Sequence, residues 1–143
     1  MLIKRINRSS PEIIFIAVKN VSGSTITAGY SCVFDVSASV DGVRVTQASA
    51  TDLQAFCGVA DADIANGEYG LAQVYGYRSS IYVYSSTGTS AAGDNLLPVA
   101  AEWGLTPATT GATAKAFGFL CTAVTASSSS RYHTNAAAFI RAL

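Results

Sequence analysis

Charged side chains are scarce in this chain. Only 13% of its 143 residues are Asp, Glu, Lys or Arg, and nine acids balance nine bases. Because soluble domains usually carry about 25% charged residues, we expect much of this surface to be covered by copies of the chain or by a partner. The balanced charge also offers no positive field to phosphates, which argues against direct binding of nucleic acid.

Long hydrophobic runs are missing as well. The longest apolar run, Ile13 to Val18, is the length of a strand and far short of the roughly 18 residues that a membrane helix needs. Residues 1–12 start with basic side chains but have no hydrophobic stretch before Pro11, so we expect no signal peptide. These absences predict a protein that is made in a cytoplasm and has no membrane partner.

Metal-binding patterns are also absent. Cys32, Cys57 and Cys121 are odd in number and widely spaced, and His133 is the only histidine. Since no CxxC pair or cysteine–histidine cluster is present, we expect no metal and no cofactor. We expect the three cysteines to be small, buried apolar residues.

The acidic residues do not form a recognisable catalytic pair. Most of them stand in turn sequences such as VDG and AGDN, where a carboxylate accepts hydrogen bonds from its own backbone, and Asp61 and Asp63 are assigned the same turn role. No GxSxG motif accompanies His133, and no glycine-rich phosphate loop follows a strand. The sequence therefore predicts a protein that is not an enzyme.

Short β-branched and aromatic runs alternate with Gly, Asn and Asp turns, a pattern typical of all-β folds. A two-residue hairpin turn is predicted at Asp41-Gly42, a helical turn within Thr51–Gly58, and irregular structure over Glu102–Thr113 and Ser127–Ser130. Strands are predicted at Ile13–Val21, within Thr25–Asp35, after Asp41-Gly42, at Phe56–Ala60, Glu68–Arg78, Ser80–Ser85, Leu96–Ala100, Ala116–Val124 and Ala136–Leu143. We predict a compact antiparallel β-barrel or sandwich over residues 12–143 as a single domain, preceded by a basic arm over residues 1–11.

Two groups of residues are candidates for binding a partner. The arm carries Lys4, Arg5 and Arg8, which either remain solvated or lie on an acidic partner surface. The second group is the tyrosines Tyr75, Tyr77, Tyr82 and Tyr84. Tyr82 and Tyr84 alternate with Ile81 and Val83, so their rings are expected on one face of a strand. The four tyrosines fit the edge of the core, a subunit or partner interface, or a platform on which a sugar stacks.

The stretch GVADADIANGEYGLAQVYGYRSSIYVY, Gly58 to Tyr84, resembles small virion proteins of tailed bacteriophages of the head-decoration, or cement, type. The resemblance includes the turn Ala92-Gly93-Asp94, the strand that follows it and the closing AAAFIRAL. It covers roughly residues 17 to 143 and rests on structural glycines and turns.

This resemblance implies a compact β-barrel or tulip-like domain that forms a homotrimer on the outside of an icosahedral capsid. Such a protein binds the major capsid protein and bridges neighbouring subunits, with Lys4, Arg5 and Arg8 of the arm on the shell. A tail, fibre or minor virion subunit is the alternative, and a carbohydrate-binding module is a third possibility.

Overall fold

The computed structural model describes residues 12–37, 41–85, 89–108, 116–124 and 132–142. Within these ranges the chain forms strands and one short 3₁₀ turn, Leu53–Ala55, so the all-β prediction and the helical turn are confirmed. The strands are β1 (Ile14–Asn20), β2 (Ser31–Phe34), β3 (Arg44–Thr46), β4 (Phe56–Ala60), β5 (Tyr69–Ser85), β6 (Asn95–Pro98), β7 (Leu105–Ala108), β8 (Gly118–Leu120) and β9 (Tyr132–Arg141).

One sheet holds the nine strands of the described part, in the order β1-β3-β2-β4-β5-β7-β6-β8-β9. Two additional pairings, β1 with β5 and β5 with β9, close this sheet into two rings that share β5. We call β1, β3, β2, β4 and β5 the first ring, and β5, β7, β6, β8 and β9 the second ring. Such closure satisfies strand edges that would otherwise be open to pairing.

The sheet is mixed, and the purely antiparallel prediction is wrong on this point. β1 pairs with β3 in parallel, and β5 pairs with β7 in parallel, whereas the other pairs are antiparallel. Each ring contains an odd number of strands, and directions cannot alternate all the way around an odd ring. One parallel pair in each ring is therefore a geometric consequence of the closure.

Each ring has its own hydrophobic core. In β1, Ile16, Val18 and Asn20 point into the first ring, and Val18 is fully buried there. The core of the first ring contains Val18, Ile26, Cys32, Val45, Cys57, Ala60, Ile64 and Ala72. The core of the second ring contains Phe56, Val59, Ile81, Val83, Leu96, Leu105, Leu120, Val124, Ala136, Ala138 and Ile140.

The long strand β5 replaces the two adjacent strands predicted at Glu68–Arg78 and Ser80–Ser85. It runs without a break, but its pairing with β9 shifts register between Arg78 and Ile81. The shift changes which residues face inward: Ala72 and Val74 are buried before it, and Ile81 and Val83 after it. The polar Ser79-Ser80 pair lies in this local irregularity, and β5 continues through it as a strand of both rings.

Other boundaries also differ from prediction. The ladder between β2 and β3 ends where Asp35 donates its N–H to the carbonyl of Arg44, so Asp41-Gly42 lies inside a longer loop and not in a two-residue hairpin. Glu102–Thr113 includes a strand, β7, while β8 is shorter and β9 starts earlier than expected. The arm over residues 1–11 and the loop Ser127–Ser130 lie outside the described residues.

Candidate functional site

The predicted tyrosine group is divided among three environments. Tyr84 is only 7% exposed, because the chain before β7 crosses it closely: a Cβ added at Gly104 would lie 2.9 Å from the Cβ of Tyr84. Tyr82 is half-buried. The alternation of Ile81 and Val83 with the two tyrosines is confirmed, but only Tyr82 keeps an accessible ring.

Tyr82 belongs to an aromatic cluster that joins segments of both rings. Its ring centroid lies 5.0 Å from that of Tyr30, which stacks on Trp103 at 5.5 Å with an interplanar angle of 18°. Burial, followed by the nearby Tyr30 and Glu102, raises the pKa of Tyr82 above its ordinary value of 10.0. These rings contact one another, which leaves less of their faces for stacking with a ligand.

Tyr75 and Tyr77 lie on the outer side of the sheet with two phenylalanines. The ring of Tyr75 meets Phe139 edge to face at 5.2 Å, and Phe139 stacks on Phe119 at 5.3 Å. Tyr77, the partner of Phe139 across the β5–β9 ladder, is 40% exposed. These two tyrosines stand at one end of a larger apolar surface.

That surface, which we call the outer strip, follows the outside of the β1–β5 pair. Ala17 stands opposite Leu71 and Lys19 opposite Tyr69 in the ladder, so these side chains project from the same face. Tyr69 is 68% exposed and Leu71 is 48% exposed. The outer strip comprises Ile13, Phe15, Ala17, Tyr69, Leu71 and Tyr77.

Sequence reasoning missed most of the outer strip. The signal was present in β1, where both alternating sets of residues are apolar: Ile16 and Val18 face inward, while Phe15 and Ala17 are exposed. A strand with one face in water normally alternates apolar and polar residues. Apolar residues on both faces of β1 indicate that its outer face contacts something else.

A groove of about 360 Å³ opens at the Tyr77 end of the outer strip. Its apolar wall is formed by Ile13, Phe15 and Tyr77, and its polar wall by Asp61, Gln73, Arg78, Ser79 and Ser80. At the opposite end, the ammonium of Lys19 lies 5.5 Å from the centroid of the Tyr69 ring, a cation–π contact.

A hydrogen-bond network fixes the floor of this groove. The Gln73 amide donates to the carbonyls of Tyr75, Gly76 and Tyr77 and its oxygen accepts from Arg78 at 3.3 Å. Arg78 also forms an ion pair with Asp61 at 3.0 Å. The buried Gln73 is thus satisfied, and Asp61 is held by Arg78 instead of by the predicted turn.

Four of the other carboxylates, those of Asp35, Asp41, Asp52 and Asp94, serve local turns, as predicted. Asp41 accepts the N–H groups of Val43 and Arg44, and Asp94 accepts that of Ala91. Asp63 instead accepts the N–H of the distant Ala28.

A polar depression of about 440 Å³ contains two of these carboxylates, Asp35 and Asp52. The hydroxyl and N–H of Ser37 donate to Asp35 and hold the pKa of that carboxyl below its ordinary value of 3.8. Asp52 accepts the N–H of Ser49 at 2.6 Å. Both carboxylates are therefore satisfied by neighbouring residues, as in structural turns.

The three cysteines are free thiols. Cys32 and Cys57 are buried in the first core, as predicted, whereas Cys121 is half-buried. A hydrogen bond with Cys57, together with burial, raises the pKa of Cys32 well above its ordinary value of 9.0, so this thiol remains protonated at neutral pH.

Within the described residues, no three His, Cys, Asp or Glu side chains are grouped to hold a metal ion, and no helix is long and apolar enough to span a membrane.

The arm residues Lys4, Arg5 and Arg8 lie outside the described residues, so the structure does not test their predicted role. The outer strip is consequently the most extensive candidate binding surface of the described chain. It is an apolar face with a protruding ring at one end and a groove at the other. Such a surface can bind a macromolecular partner.

Comparison with protein-family models finds no match for this chain, and comparison with curated proteins finds none either. Comparison with solved structures finds a similar fold in the crystal structure of the head fiber gp8.5 N base of bacteriophage phi29. The two chains are 14% identical, with a TM-score of 0.54, over 92% of this chain and 96% of that chain. The likeness is one of fold and extends over nearly the whole of both chains.

Proposed function

We propose that this chain is a structural protein of a bacteriophage virion that attaches to the outside of the head. The observation that carries the proposal is the fold shared with the phi29 head fiber base along nearly the full length of both chains. Because folds host many functions, the surface must support the role independently. The low charge of the chain and its exposed apolar strip both favour a protein that works by contact with other proteins.

In its more specific form, the proposal is capsid decoration. The chain, made in the host cytoplasm, binds the major capsid protein as a homotrimer and stabilises the shell by bridging neighbouring subunits. It acts without catalysis, metal or cofactor. Many weak contacts repeated by the symmetry of the shell give strong attachment without any single strong site.

The base of a head fibre is the second candidate, and the same fold comparison favours it specifically. A fibre base also sits on the head exterior, but it carries an attached fibre. Particles decorated by the two kinds of protein differ in appearance: a cement protein forms compact knobs, whereas a fibre base forms the foot of a projecting rod. Electron microscopy of particles labelled with an antibody to this chain separates the two.

The basic arm provides a direct test of shell binding. Replacing Lys4, Arg5 and Arg8 together by alanine is expected to weaken binding to particles about tenfold, since each exposed ion pair contributes about 0.2–1 kcal/mol. Binding is measured by co-sedimentation of purified chain with particles stripped of it. We also expect added salt to weaken the wild type more than the variant, because salt screens exposed charges.

The control is Arg141→Ala, which removes an exposed cation of β9 far from the arm in sequence and is expected to leave binding unchanged. Circular dichroism confirms that the variants are folded. Equal binding by the triple variant and the wild type at every salt concentration would contradict a role for the arm on the shell.

A further inference from the structure

The outer strip has complementary features at its two ends. Tyr69, the most exposed large apolar residue of the described chain, projects from one end. The groove between Phe15 and Tyr77 opens at the other end, roughly 20 Å away along β5. A protruding ring and an open groove on one face are the two halves of a knob-and-hole contact.

The exposed area fits a partner contact. The side chains of the outer strip expose on the order of 500 Å² of mainly apolar surface. That is comparable to the largest apolar patch on a typical monomer and forms most of the roughly 800 Å² that each partner contributes to a standard interface. The sheet beneath it is rigid, because β1 pairs with β5 over residues Ile14 to Lys19. Two such faces can pack about 10 Å apart, as stacked sheets do.

The polar groups at the two ends can also contact one another. Lys19 stands beside Tyr69 at the knob, and Asp61, whose side chain is 45% exposed, stands in the wall of the groove. If the Tyr69 ring of one copy enters the groove of another, its Lys19 comes next to the Asp61–Arg78 pair of that copy. The ammonium then lies near a carboxylate, and the Tyr69 hydroxyl near the Ser79 and Ser80 wall.

We infer that the outer strip is a contact between two copies of this chain, in which Tyr69 of one copy occupies the groove between Phe15 and Tyr77 of the next. The contact does not involve the aromatic cluster of Tyr30, Tyr82 and Trp103. It accounts for the apolar outer face of β1, which the fold of a single chain leaves in water. The inference stands on the geometry of this surface and does not depend on the virion role.

The mass of the chain in solution provides the first test. We expect the wild type to be an oligomer by light scattering at micromolar concentration. Leu71→Glu places a charge in the middle of the strip and is expected to weaken association at least about 30-fold, since an unpaired charge buried in an interface costs about 2–5 kcal/mol. The control is Val36→Glu, which puts the same charge at a residue outside the strip that is 45% exposed.

The second test keeps the apolar strip intact. A photoreactive benzoyl-phenylalanine at position 69 is expected to crosslink to a peptide of another copy that contains Phe15 or Tyr77. Mixing isotope-labelled and unlabelled chains distinguishes contacts between copies from contacts within one copy.

A monomeric wild type, or an oligomer with crosslinks only outside the groove, overturns the inference. A monomeric wild type whose binding to particles is lost in Leu71→Glu would also overturn the inference. That result would indicate that the outer strip contacts the major capsid protein instead of a second copy. A monomeric wild type would also contradict the proposed homotrimer, but it would leave attachment to a virion open. Loss of particle binding in Leu71→Glu would support that attachment, so the two proposals can be told apart.

Discussion

Replacing Gly76 by alanine is expected to lower the free energy of unfolding by about 3 kcal/mol, since a strained backbone and an overfilled site each cost about 1–3 kcal/mol. Gly76 has a φ of +106°, in the left-handed region. An added Cβ would also collide with the carbonyl oxygen of Glu12, where the chain enters β1. That obstacle is backbone, which cannot rotate away. Urea unfolding followed by the fluorescence of Trp103, the only tryptophan, measures the change.

Gly67→Ala is the matched control for this experiment. Gly67 has a φ of +85°, but an added Cβ would meet nothing within 4 Å. The control therefore keeps the backbone strain and removes the collision, and we expect a loss of about 1 kcal/mol. Equal losses in the two variants would show that the chain at Glu12 does not pass over Gly76.

The second large effect is expected from Leu96→Ala, with a loss of about 3 kcal/mol in the free energy of unfolding, within the usual range for a buried leucine. Leu96 is fully buried in the second core. Truncating it removes apolar contacts and leaves a cavity among side chains from other strands of the second ring. Urea unfolding followed by far-ultraviolet circular dichroism gives the change.

Its neighbour Leu97 supplies the control, because it lies on the opposite face of β6 and is only half-buried. Leu97→Ala makes the same chemical change and is expected to cost about 1 kcal/mol or less. If the two variants lost similar free energies, or if Leu97→Ala lost more, the assignment of faces in β6 would be wrong, and with it the second core.

Local patterns in the sequence predicted the well-defined strands. β4 matches the predicted Phe56–Ala60, and β1 lies within Ile13–Val21, because β-branched and aromatic runs with glycine or serine at their ends leave little choice. β7 was missed because Thr106 and Pro107 make it resemble a loop, yet Leu105 pairs with Pro98 and Val83. Its position depends on strands far away in the sequence.

Local sequence patterns could not predict the closure of the sheet either, because closure also depends on strands that are far apart in the sequence. The Ser79-Ser80 pair predicts a break between two strands. Only the pairing of Tyr77 with Phe139 and of Ile81 with Ala136 shows that β5 continues through it. Nothing near residue 78 in the sequence indicates that one strand is shared by two rings. The parallel pairs follow from this closure and were missed with it.

The candidate site was predicted in part. Tyr77 is indeed on an exposed apolar surface, but Tyr84 is covered by the chain at Gly104, a contact that the alternation of β5 does not reveal. The remaining strip residues come from both sides of the β1–β5 ladder. A period of two tells which residues share a face of one strand, but not which second strand completes the surface.

The most direct measurement of the central claim is the copy number of this chain in purified virions, determined by quantitative mass spectrometry against the major capsid protein. Decoration of the shell predicts a number equal to that of the capsid protein or a simple fraction of it. A handful of copies per particle would contradict decoration and place the chain at a tail or a single vertex. Complete absence from the particles would contradict the virion role itself.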